Sequence, residues 1–132
     1  VALACPVVAV YPERNEAIVH GGGVHLAKDS LPTPEHSTIF GKIALPASQG
    51  WGPQEPGCYL RSISQDHGVA VLRPDLVQKI KVGDLLAVLP VHSCMTADLM
   101  EYLYPIDLPS YQQPLPMMKG TRQHIHQGQS LA

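Results

Sequence analysis

The stretch that decides the fold is CYLRSIS at 58–64, followed by QDHG at 65–68 and VAVL at 69–72. The first run alternates apolar and polar residues, the signature of a half-buried strand. Asp66-His67-Gly68 then supplies a turn signal, and Val69 to Leu72 resumes an apolar run, so the two runs predict a β-hairpin. Downstream, Leu76 to Ile80 suits a turn of helix. Val82-Gly83-Asp84 is punctuation before Leu85 to Val91, the longest aliphatic strand. After Cys94, Thr96 is placed to cap a single helical turn through Leu99. Two last apolar runs, Tyr102 to Ile106 and Arg122 to Ile125, are separated by a proline-broken segment.

Upstream, Val1 to Val10 is β-branched and aliphatic, which predicts a strand buried on both faces. Ala17 to His20 is a short strand that runs into Gly21-Gly22-Gly23, and apolar character resumes over Val24 to Ala27. Three consecutive glycines predict either backbone angles closed to other residues or the close approach of a second backbone. From Lys28 to Pro56 the chain carries five prolines and reads as loop, with one short strand around Ile39 to Ala44. Seven or so short strands with Gly/Pro turns predict an all-β domain, a small β-barrel or sandwich-like fold with long Pro-rich loops, spanning 1–132 as a single unit.

Composition narrows the function classes. The chain has 132 residues, room for one core and not for two full domains. Nine Lys+Arg against eleven Asp+Glu give a formal charge of -2, so no overall basic field draws in nucleic acid or an anionic membrane. Thirteen prolines and eleven glycines disfavour a helical bundle. No apolar run approaches the roughly 20 residues of a membrane span. Cys5, Cys58 and Cys94 are odd in number and irregularly spaced, which predicts free thiols and a cytoplasmic setting. The first residue is Val1 and no charged segment precedes it, so no signal peptide is expected; the chain is expected to be processed or cut from something longer.

The sharpest chemical feature is PVHSCMT at 90–96. On an extended backbone, residues two apart face the same side, so the imidazole of His92 and the sulfur of Cys94 can converge on one ion. Both suit zinc, and two protein ligands leave open positions of the kind a catalytic metal keeps. A half-buried histidine beside a small apolar cysteine accounts for the same letters without a metal. His67 reads either as a polar hairpin-turn residue or as a base, proton shuttle or partner near the metal. His20 and His25 flank the triple glycine, but no Gly-Lys-Ser/Thr follows, so this is no phosphate loop. His124 and His126 repeat the two-residue spacing in a polar tail. None of the lysines has the apolar surroundings expected for an imine-forming nucleophile.

The order of motifs carries a resemblance. A glycine-containing strand end, then Leu26-Ala27-Lys28-Asp29, Ser64-Gln65-Asp66-His67-Gly68, Val82-Gly83-Asp84, Leu89-Pro90 and His92-Ser93-Cys94-Met95-Thr96 resemble the C-terminal β domain of the D-serine dehydratase and D-threonine aldolase family. These are fold type III, alanine-racemase-type pyridoxal-phosphate enzymes. The similarity runs from about Val7 to Tyr104. It departs from the family at His20 or Gly21, where an acidic residue is usual, at His25, where a basic one is, and at Gln65, where an acidic one is. The resemblance implies that His92 and Cys94 are zinc ligands, on the dehydratase-like side of the family, and that His67 contacts bound water or substrate. It also implies an N-terminal α/β barrel of the same enzyme that holds the pyridoxal phosphate, since such a barrel needs about 200 residues. A homodimer and a small amino-acid substrate follow from the same resemblance, with no activity expected of this chain alone. An autonomous zinc- or partner-binding barrel without catalysis, and a structural oligomerisation domain, are the competing readings.

Overall fold

The computed structural model describes residues 1–100 and 102–106, together with the backbone at 115–116. Six strands form a closed barrel: β1 (Leu3–Tyr11), β2 (Glu16–His20), β3 (Gly41–Ala47), β4 (Gly50–Ile63), β5 (His67–Val71) and β6 (Leu85–Pro90). Around the barrel they run β1-β2-β5-β4-β3-β6, every neighbouring pair antiparallel. Three short helices, α1 (Gly23–Leu26), α2 (Pro74–Val77) and α3 (Ser93–Leu99), sit between or after strands. A two-stranded ribbon, β7 (Tyr102–Leu103) with β8 (Leu115–Pro116), stands outside the barrel.

The predicted hairpin is β4–β5, with Ile63 opposite Gly68 and the Ser64 N–H donating to the His67 carbonyl at 2.8 Å. Its inward residues Cys58, Leu60 and Ala70 join Val7, Val19, Ile43, Leu72 and Leu86 in an aliphatic core. The N-terminal strand corrects one expectation. Leu3, Cys5 and Val7 point inward, but Ala4, Pro6 and Val8 are exposed, so one face is buried and not two. Among the described residues no second sheet is stacked on the outside of the closed one, and the apolar outward residues do not report a second layer.

The Pro-rich segment is the larger correction. It is loop only as far as Phe40, apart from the bridge between Leu31 and Ile39, and Pro46, Pro53 and Pro56 lie within strands. Pairing explains this. β3 meets β6 only over Gly41 to Ala44, and β4 meets β5 only from Tyr59 onward. Beyond those limits each strand has one neighbour among the described residues, and a proline whose missing N–H would face outward breaks no ladder. The prediction of Thr96 as a cap is also wrong. α3 begins three residues earlier with His92 at its N-cap, and Thr96 is buried inside it. Its Oγ1 has no hydrogen-bond partner among the described residues. The run at 122–125, with His124 and His126, lies outside the described residues.

Candidate metal centre

Strand directions gather the chemistry at one mouth of the barrel. β2 ends at His20, opposite His67 at the start of β5. β6 ends at Pro90, opposite Gly41 at the start of β3, and leads into His92. Because neighbours alternate in direction, these ends share one rim, and α1 packs on α3 across it. The triple glycine makes that approach possible. A Cβ on Gly22 would lie 2.6 Å from the Gln65 carbonyl oxygen, and one on Gly21 would lie 2.5 Å from the Cys5 sulfur. Gly23 and Val24 donate their N–H groups to the Ser64 and Gln65 carbonyls at 2.9 and 3.1 Å, stitching the strap to the hairpin turn. Close backbone approach is therefore the use of these glycines, one of the two the sequence allowed.

His92 and Cys94 both lie on the mouth and both are exposed. They are not alternate residues of a strand. β6 stops at Pro90, His92 is the N-cap of α3 and Cys94 lies in its first turn, so the period-two reason for their convergence does not apply. The His92 side chain makes no capping bond; its Nδ1 meets the Oδ2 of Asp29. Cys94 lines a hollow of about 350 Å³ with Ala27, Met95, Asp98 and Leu99. Among the described residues no group of three or more His, Cys, Asp or Glu side chains is arranged to hold an ion. The donors present, an accessible thiol and an imidazole whose Nε2 has no hydrogen-bond partner among the described residues, fit a zinc site that leaves positions open.

His67 stands apart from this pair. It opens β5 and clusters with His20 at 5.6 Å between ring centroids, while His25 meets His20 edge-on at 5.1 Å. Among the described residues no hydrogen bond or ring contact joins His67 to His92 or Cys94. The Gly22 N–H donates to His25 Nδ1 at 3.1 Å, which assigns the His25 proton to Nε2. Burial holds the His25 pKa below the ordinary imidazole value, with His20 and His67 adding to the depression and Asp66 opposing it. The other thiols are different: burial pushes Cys5 up to about 12 and raises Cys58, so both stay protonated and inert.

Sequence reasoning missed Asp29 as a partner of His92, because 63 residues separate them and no spacing rule spans that distance. Ala27, at φ 62° and ψ 179°, sits in a region that favours glycine and turns the chain out of α1 toward Asp29. Such an angle costs on the order of 1–3 kcal/mol.

The family model described as "Putative serine dehydratase domain" matches residues 1–106. The chain belongs to the serine dehydratase domain family. A D-serine dehydratase from Schizosaccharomyces pombe is 24% identical over 102 residues, covering 74% of this chain and 22% of that protein. An alanine racemase-like protein from Idiomarina loihiensis shares 25% identity over 76% of this chain and 26% of its own, with a TM-score of 0.63. D-threo-3-hydroxyaspartate dehydratase from Delftia sp. HT23 has the same fold at 21% identity and a TM-score of 0.70, over 90% of this chain and 32% of that one. D-threo-3-hydroxyaspartate dehydratase is also solved as a cysteine-to-alanine mutant in a metal-free form and as a histidine-to-alanine mutant, the two positions lying two residues apart. The chain of this family member thus spans about a third or less of the proteins it matches. No helix among its described residues is long and apolar enough to cross a membrane.

Proposed function

We propose that this chain is the C-terminal metal-site domain of a pyridoxal-phosphate-dependent lyase acting on 3-hydroxy D-amino acids, and that His92 and Cys94 are its zinc ligands. The observation that carries the reading is an accessible imidazole and an accessible thiol, two residues apart, on the same barrel mouth. The spacing equals that between the substituted histidine and cysteine of D-threo-3-hydroxyaspartate dehydratase. A zinc ion here would supply Lewis acidity to a substrate hydroxyl on the carbon next to Cα. Cys94 would bind as the thiolate and His92 through Nε2. Ala27, Met95 and Leu99 would wall the apolar side of the hollow and limit access of bulk water. His67, on the same rim, would face bound water or substrate rather than the ion.

The described residues do not fit the pyridoxal group itself. Lys28, Lys42, Lys79 and Lys81 are all exposed, and an imine-forming lysine needs an apolar pocket. That group is assigned to an N-terminal α/β barrel of the same enzyme, with a cytoplasmic homodimer as the proposed assembly. The test is zinc content and release of ammonia from D-serine in the parent enzyme, wild type against Cys94→Ala. Loss of both in the variant is expected. Full zinc content and unchanged turnover in Cys94→Ala would sink the assignment.

A further inference from the structure

We infer that Asp29 is the positioning residue of the metal-binding imidazole: it accepts the Nδ1–H of His92 and thereby leaves Nε2 as the atom offered to the ion. The inference rests on the reading of His92 as a ligand. Three observations carry it. Asp29 Oδ2 meets Nδ1 and not Nε2, across 63 residues of sequence. The ring takes no part in capping α3, so its orientation is set by the carboxylate and not by the helix. The segment bearing Asp29 follows the positive-φ residue Ala27, directly after a helix that packs on α3.

Both side chains are near half-exposed, at 56% for His92 and 40% for Asp29, so the pair adds little to stability. Its effect is on the choice of tautomer. A neutral imidazole carries one proton, and whichever nitrogen donates to a carboxylate leaves the other nitrogen's lone pair for a metal. Holding Nδ1–H against Asp29 removes the alternative in which Nε2 is protonated and cannot coordinate. Asp29 therefore acts through His92 and touches neither substrate nor ion.

The experiment uses the ¹⁵N-labelled chain, with zinc as the probe. Long-range ¹H–¹⁵N correlations report the His92 tautomer without metal, and chelator competition reports zinc affinity. Wild type is expected to show the Nδ1–H form. Asp29→Ala is expected to shift the ring toward Nε2–H and weaken zinc about 10–100-fold. Asp29→Asn, which keeps an acceptor oxygen, is expected to retain the Nδ1–H form with a smaller loss. Joined to His92→Ala, Asp29→Ala should cost nothing further, since its effect passes through that ring. Wild-type affinity in Asp29→Ala, or a fully additive double variant, overturns the inference. A wild-type chain that binds no zinc instead defeats the ligand reading, while the metal-free tautomer still decides whether Asp29 orients the ring.

Discussion

Cys5 and Cys94 mark two regions of the barrel that use one residue type to opposite ends. Cys5 lies in the wall, fully buried, with burial raising its pKa to about 12. Cys94 lies on the mouth, exposed beside a hollow. The wall removes polar groups from water and protects them from reaction; the mouth keeps polar groups accessible and orients them through neighbours such as Asp29. Stability should therefore follow the wall, and ligand chemistry the mouth.

The strongest attempt to break that division is Leu60→Ala. Leu60 is fully buried, so truncation should lower unfolding free energy by about 2–5 kcal/mol in urea melts, with the tautomer of His92 unchanged in the folded fraction. Alkaline titration sharpens it next. Cys5 moves from 9.0 to about 12 on folding, so between those values the native state holds a proton the unfolded chain has lost. Stability should fall as pH rises through that window, and Cys5→Ala should flatten the fall.

Gly68→Ala tests where wall meets mouth. Its Cβ would lie 2.7 Å from the Gly21 carbonyl oxygen and 2.9 Å from Leu60 Cδ1, and overpacking should cost about 1–3 kcal/mol in thermal or urea melts. On the acid side, His25 has a lowered native pKa, so the unfolded chain binds the extra proton as pH drops below the ordinary value of 6.5. Stability should decline from 6.5 downward and level off below the native pKa, and His25→Gln should weaken that dependence. The smallest effect belongs to Arg61→Ala. Its 2.7 Å pair with Glu16 lies outside the wall with the arginine half-exposed, and about 0.2–1 kcal/mol is expected in a double-mutant cycle.

The wall was legible in the sequence where it is paired on both sides. Alternation over 58–64 and the turn signal at Asp66-His67-Gly68 located the central hairpin, although His67 and Gly68 already belong to β5, and the continuous aliphatic run at 85–91 located β6, because both patterns are local signals. The Pro-rich segment was not legible, since whether Pro46 or Pro53 disrupts a ladder depends on which strands lie beside it. At the mouth, residue type singled out His92 and Cys94 as candidates, but the extended backbone assumed for them is the start of a helix. A seven-residue helix has too few turns to impose a readable period. Asp29 was hidden for another reason: its partner is fixed by folding and not by spacing.

Closure leaves the barrel itself with no free strand edge, but the outer parts of β3 and β4 each have a side without a strand partner among the described residues. Pro46, Pro53 and Pro56 stand in those parts, and a proline has no N–H to offer a strand added from another molecule. The outer part of the β3–β4 hairpin is thus a poor template for sheet extension into aggregates.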